Sequence, residues 1–206
     1  MPINTEKNME DAILQAATKL FLEKGFASTS TTEIAKEAGC NQALVHYYYR
    51  TKDRLFDAIF EKKMKYFMTS LLHISSKDIP FEEKLSKKIE THFDAISEDP
   101  KFPILFFHEL NTNSKRLETL RTMLGELPQT VVSQFQNELQ AEIDKGNVRQ
   151  MSIFDLLITI ISLNIIVFIG EPIFKMMTKI SDEEYLNLIE RRKKENVHII
   201  LKSLKP

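Results

Sequence analysis

Apolar residues recur at helical spacing along most of the chain. Ile13, Ala17, Leu20 and Phe21 share one face of a helix predicted over residues 9–24. The same pattern predicts helices over 30–38, 41–49, 52–73, 80–98, 104–111, 114–144, 153–170 and 182–204. Gly125 and Pro128 predict a break inside the 114–144 stretch. We therefore expect an all-α fold.

Two four-residue signals mark where helices begin. Ser30-Thr31-Thr32-Glu33 and Ser181-Asp182-Glu183-Glu184 both have the spacing of a capping box, in which the first and last side chains exchange hydrogen bonds with the backbone. Gly39 permits a sharp turn between the helices over 30–38 and 41–49. This pair has the proportions of a helix-turn-helix.

Composition and charge set limits on the function. The formal net charge is -1, so the overall balance predicts no nucleic-acid partner, but residues 41–56 carry a local charge of +2. The single cysteine, Cys40, excludes an internal disulfide framework and a multi-cysteine metal site. The polar N-terminal residues lack the apolar stretch of a signal peptide, and 153–169 is slightly short for a membrane span. We expect a cytoplasmic protein without membrane association, cofactor or metal.

The exposed face of the second helix in this pair has the residue types that contact DNA. Amide, imidazole and phenol groups can reach base edges and phosphates from a major groove, and the amides at helix N-termini are natural phosphate sites. The candidate DNA-binding residues are Ser30, Thr31, Thr32, Asn41, Gln42, Ala43, His46, Tyr47, Tyr48 and Lys52. Among them, Lys52 is the strongest candidate for a phosphate contact, and Gln42 for reading a base.

Residues 9–67 resemble the DNA-binding domain of the TetR/AcrR family of bacterial transcriptional regulators. The resemblance covers ILQAATKLFLEKGFASTSTTEIAKEAGCNQALVHYYYRTKDRLFDAIF, with its aromatic and glycine positions and a lysine-leucine ending at Lys52 and Leu55. The chain has His46 and Tyr47 where the family commonly has tyrosine and histidine, so the operator sequence cannot be transferred. A histidine can gain charge in mild acid, which would strengthen a phosphate contact at His46.

The resemblance implies a division of labour along the chain. A three-helix DNA-binding domain over residues 1–52, with its motif at about 30–49 and the family-type domain extending to about 67, would precede a larger helical domain over 53–206. That domain would bind a small-molecule effector and form a homodimer through helices 153–170 and 182–204. The implied function is a transcriptional regulator, a repressor that an effector releases from a palindromic double-stranded operator.

The effector-binding residues are predicted from a cluster of apolar side chains beside ionisable groups, which is typical of ligand pockets. The candidates are Phe102, Phe106, Phe107, His108 and Asn164. The first four also fit a plain core with a polar rim. Asn164 also fits a satisfied buried amide or a residue that fixes helix register across a dimer.

Two alternatives come from other classes of protein. A helical metal-dependent or hydrolytic enzyme is disfavoured because Glu195 and His198 form a single Glu-x-x-His pair, and a di-iron bundle needs two. No nucleophile elbow or phosphate loop is found either. A helical dimer that has lost DNA binding remains the other alternative.

Overall fold

The computed structural model describes the backbone from residue 3 to residue 206 and the side chains from residue 9 onward. No strand occurs in this range, and the all-α prediction is confirmed. The helices are α1 (Ile3–Lys24), α2 (Thr31–Glu37), α3 (Gln42–Tyr49), α4 (Lys52–Ser75), α5 (Phe81–Glu98), α6 (Phe102–Thr112), α7 (Ser114–Leu124), α8 (Leu127–Asp144), α9 (Ile153–Ile169), α10 (Glu171–Thr178) and α11 (Asp182–Ser203).

Two helix boundaries and one short helix show what the local sequence reveals about the helices and what it does not. The predicted break between α7 and α8 lies at Gly125, whose φ of 57° is a conformation that glycine adopts at little cost. Helix α1 begins at Ile3, before the predicted start at residue 9. The apolar pattern does not reveal the first turns because they are polar. Helix α10 was not predicted; it has only eight residues, and none of them is buried.

The chain packs as two compact units, the first containing residues up to Met64 together with Ile104–Leu124. Its core brings together side chains from α1, α2, α3 and α4. They include the buried residues Ile13, Phe21, Ile34, Val45, Leu55 and Phe56. Phe56 lies edge-on to Phe21 and Phe26, with ring centroids 5.2 and 4.9 Å apart. Each such buried side chain contributes about 2 kcal/mol through removal from water.

The turn between α2 and α3 fixes the geometry of the helix pair. Gly39 has a φ of 69°. The Cys40 amide donates to the Ala35 carbonyl at 2.9 Å, and the Gly39 amide donates to the Lys36 carbonyl at 3.2 Å. These bonds satisfy carbonyls at the end of α2, and Gly39 supplies the left-handed residue that such a helix end requires. The predicted helix-turn-helix is thus present.

The second unit contains residues 65–103 and 125–206. Its larger core cluster joins α5, α8, α9 and α11, and contains Leu85, Ile89, Leu139, Leu156, Ile160 and Ile200. One charged pair lies at the edge of this apolar cluster. The Lys88 ammonium, 4% exposed, donates to Glu138 and stands 4.1 Å from the centre of the Phe135 ring.

The compact units are not divided where the sequence predicted functional domains. The division after Met64 falls inside α4, and α7 packs with the helix-turn-helix part of the chain. The predicted domains, 1–52 for DNA binding and 53–206 for effector binding and dimerisation, are statements about function. They stay predictions.

Candidate nucleic-acid interface

The N-terminus of α2 is built by the predicted capping box. The Ser30 hydroxyl accepts from the Glu33 amide at 3.2 Å, and the Glu33 carboxylate accepts from the Ser30 amide at 2.9 Å. The first-turn amides of Thr31 and Thr32 have no partner within an α-helix, and the helix dipole favours an anion beside them. These two amides form a candidate phosphate site.

The carboxylate of Glu33 lies at the same helix end and is neutralised locally. Lys24 donates to it at 2.7 Å, and this bond, followed by those from Ser30, lowers the pKa of Glu33 to about 2. The carboxylate is therefore ionised and paired at neutral pH. A phosphate approaching Thr31 and Thr32 meets this ion pair rather than an isolated negative charge.

Helix α3 is oriented by one cap and two buried side chains. The Asn41 side chain caps the helix by accepting from the Leu44 amide at 2.9 Å. Val45 and Tyr49 are buried, which turns the opposite face outward. That face carries the exposed residues Gln42, Ala43, His46 and Tyr47. The arrangement leaves a short helical face of base-contacting residue types open to solvent.

The three consecutive tyrosines have different environments. Tyr47 is 71% exposed, whereas Tyr49 is buried and donates to the Glu10 carboxylate at 3.3 Å. Tyr48 is partly buried and packs edge-on against Tyr47, with ring centroids 5.3 Å apart. Tyr47 is thus the tyrosine whose hydroxyl is most available to a phosphate.

Lys52 has a structural role that the sequence did not predict. Its ammonium donates to the carbonyls of Phe26 and Thr29, both at 2.8 Å, and lies 4.4 Å from the centre of the Phe26 ring. These carbonyls belong to the segment that leads from α1 into the cap of α2. The ammonium therefore ties the start of α4 to this segment, and a phosphate would have to compete with two carbonyls for it.

The predicted effector residues are divided between the two compact units. Phe106 belongs to the first unit, where its ring stacks on Phe60 at 5.3 Å, while Phe107 and His108 are exposed. Phe102 and Asn164 belong to the second unit. The effector role of all five residues stays a prediction.

Asn164 is fully buried in a hydrogen-bonded network that sequence reasoning found only in part. Its amide nitrogen donates to the Ile89 carbonyl at 2.9 Å and to Nδ1 of His92 at 3.1 Å. Its carbonyl accepts from Asn196 at 2.8 Å. Burial lowers the pKa of His92 to about 4, so its ring is neutral at pH 7. No sequence signal connects these residues, because they come from α5, α9 and α11.

Arg116 is a second residue that the sequence reasoning missed. It is 4% exposed, and its guanidinium donates to Asp53 and Asp57 at 3.0 Å each and contacts Glu109 at 3.3 Å. The guanidinium also lies 4.1 Å from the centre of the Phe56 ring. Through these contacts α7 is fastened to the first turns of α4, directly after the helix-turn-helix.

Among the described residues, no group of three or more His, Cys, Asp or Glu side chains converges in a way that could hold a metal ion. Two shallow depressions lie on the surface of the described residues. One lies along α8, and the other is lined by Tyr66, Thr69, Ser70, His73, Ile74 and Thr91. Neither includes a predicted effector residue.

Comparison with known proteins assigns the helix-turn-helix. Residues 13–59 match the model of the family described as bacterial regulatory proteins, tetR family. This part of the chain is a TetR-type DNA-binding domain. The matched residues run from the core of α1 to α4, and the relatives are transcriptional regulators, so the chain is a DNA-binding transcriptional regulator of the TetR type.

Two curated relatives show how far the similarity extends. The fatty acid metabolism regulator protein of Bacillus subtilis is 24% identical over 138 residues, which cover 67% of this chain and 70% of that protein. An HTH-type transcriptional repressor of Mycobacterium tuberculosis is 42% identical over 73 residues, covering 35% of this chain. The match spans 38% of the length of that repressor. The higher identity belongs to the shorter match.

A solved structure shares the fold over nearly the whole chain. The transcriptional regulator FadR of Bacillus subtilis, in complex with stearoyl-CoA, superposes with a TM-score of 0.69 at 17% identity. The match covers 94% of this chain and 98% of that one. At this identity the likeness establishes the TetR-type fold.

Within the described residues, no single helix has the length and apolar character needed to cross a membrane. Helices α9 and α10 together satisfy those criteria, but they are bent by 61° relative to one another. Helix α9 contributes six buried residues to the second unit.

Proposed function

We propose that this chain represses transcription as a homodimer bound to a palindromic operator, and that a small-molecule effector releases it. The observation that carries this proposal is the solvent-exposed face of α3. This face is formed by the exposed residues Gln42, Ala43, His46 and Tyr47. A capped and rigid helix with such a face suits the major groove. The amides of Thr31 and Thr32 would hold a phosphate beside it.

The dimer is supported by the exposed apolar face of α9. Phe154, Ile158, Ile161 and Ile169 are 66, 63, 40 and 41% exposed, although α9 is apolar on its buried face as well. Such a face is typical of an interaction surface. Helix α11 has only one strongly exposed large apolar residue among those described, Leu186 at 65%. We therefore place α9 at the centre of the predicted 153–170 and 182–204 interface.

The effector class is proposed from the relatives. The Bacillus subtilis regulator is named for fatty acid metabolism, and the FadR structure holds stearoyl-CoA. A long-chain acyl-CoA is therefore the first effector to test. Release of the chain from DNA by stearoyl-CoA, with no effect of free coenzyme A, would support this class; unchanged DNA binding would assign the effector to another class.

The experiment that tests the proposal is a mobility shift with the DNA upstream of the chain's own gene. We expect a sequence-selective complex at low salt, and Gln42→Ala should change the sequence preference. Gln134→Ala is the matched control, because Gln134 is an exposed glutamine of α8, away from the helix-turn-helix. Equal retention of specific and unrelated DNA would refute the proposal.

A further inference from the structure

Gln42, the residue proposed to read a base, is already held by its neighbours. Its amide nitrogen donates to the Thr31 hydroxyl at 2.9 Å and lies 3.4 Å from Nε2 of His46, a long hydrogen bond. Gln42 and His46 are four residues apart on α3, so their side chains share one helix face. Both amide hydrogens therefore point toward the protein, and the amide oxygen is left to meet a base.

The protonation of the His46 ring follows from its other nitrogen. Nδ1 lies 3.1 Å from the carbonyl of Arg50. A carbonyl can only accept, so Nδ1 carries a hydrogen, and in the neutral ring Nε2 is the acceptor that faces Gln42. Arg50 has a φ of 61°, an uncommon conformation for a residue other than glycine, and its carbonyl is the one that fixes this ring.

We propose that His46 is a specificity-determining residue that sets which end of the Gln42 amide faces the DNA; the proposal rests on the DNA-binding function proposed above. With a neutral His46 ring, the outward amide oxygen accepts a hydrogen bond from adenine N6 or cytosine N4. A protonated ring has a hydrogen on Nε2, so the Gln42 oxygen turns toward it. The outward amide nitrogen then donates to guanine or to thymine O4.

The surroundings allow this rotation of the amide. The Thr31 hydroxyl both donates and accepts, so it can bond either end of the amide, and the Arg50 carbonyl accepts from Nδ1 in both states. No ion pair involves His46 within residues 9–206. From α2, the uncharged Thr31 contacts the Gln42 amide. The ammonium of Lys52 donates to backbone carbonyls instead. Arg50 is the charged residue nearest in the chain, and it contacts the ring through its carbonyl.

The test is selection of duplexes from a random-sequence pool by the full chain, at about pH 8 and at about pH 5.5, a range over which histidine titrates. We expect the position contacted by Gln42 to change from adenine or cytosine to guanine or thymine, by roughly fivefold or more. The change should disappear in His46→Phe and in Gln42→Ala. It should persist in His73→Phe, the matched control, since His73 is an exposed histidine of α4.

A second variant makes the test independent of acid. His46→Lys carries a permanent donor, so at about pH 8 it should select guanine or thymine, as the wild type does in acid. The proposal is overturned if His46→Lys and the wild type select the same base, or if the change with pH survives in His46→Phe. Failure to enrich any sequence at either pH would instead refute the proposed DNA-binding function.

Discussion

At the scale of single residues, His92 is half-buried beside an uncharged partner. Its Nδ1 accepts from the Asn164 amide at 3.1 Å, and burial lowers the pKa of His92 from 6.5 to about 4. The folded chain therefore binds this proton more weakly than the unfolded chain does. The neutral ring therefore contributes to the free energy of unfolding above pH 6.5, and this contribution is lost as the pH falls from about 6.5 toward 4.

This assignment predicts a pH-dependent stability. Between pH 4 and pH 6.5 the free energy of unfolding should rise by at most about 3 kcal/mol from this group. His92→Gln keeps an acceptor for Asn164 but cannot titrate, so its stability should rise less steeply over the same range. Urea unfolding at several pH values measures the difference. Parallel curves for the two proteins would show that His92 does not carry the effect.

Among the predicted phosphate contacts, Lys52 is the one whose expected role differs most from its contacts in the structure. Because its ammonium donates to Phe26 and Thr29 carbonyls at 2.8 Å, we expect Lys52→Ala to weaken DNA binding by loosening the approach to α2. The slope of log affinity against log salt should then change little. A lost phosphate contact would reduce it by about 0.9, and binding measured across salt concentrations distinguishes the two outcomes.

At the scale of helices, α5 and α8 are joined by a charged pair within an apolar surround. Burial lowers the pKa of Lys88, which opposes its charge, while the hydrogen bond to Glu138 supports that charge. Glu138→Leu would leave Lys88 without this partner and should cost about 3 kcal/mol of stability. Lys88→Met combined with Glu138→Leu should restore most of that loss. Additive losses in urea unfolding would contradict the pairing.

The helices themselves were largely predictable from the sequence. Apolar spacing located most of them, and the capping boxes at Ser30 and Ser181 are formed as their spacing predicts. Such signals are local, since each depends on residues within one or two turns.

Contacts between distant helices were not predictable in the same way. The bonds of Lys52 and Arg116 join residues that lie 23 to 63 positions apart in the chain. A lysine at the start of a helix has the same local pattern whether it faces a phosphate or two carbonyls. The outward face of α3 was predictable because a core-facing period also defines the opposite face.

At the scale of the whole molecule, the proposed repressor needs two paired copies to bring two recognition helices to one operator. Ile158→Glu places a charge in the exposed apolar face of α9 and should convert dimers to monomers, with loss of operator binding. Leu117→Glu is the control, because Leu117 is 54% exposed on α7. Sedimentation velocity measures the state of association. An Ile158→Glu protein that remains dimeric would place the interface elsewhere.

Footprinting on the DNA upstream of the gene would show whether two paired α3 faces read DNA. We predict two protected major-groove segments related by two-fold symmetry, with centres about 34–36 Å apart or a multiple of that distance. Gln42→Ala should change the bases protected within both segments. Protection that is absent, or confined to one segment, would contradict the account.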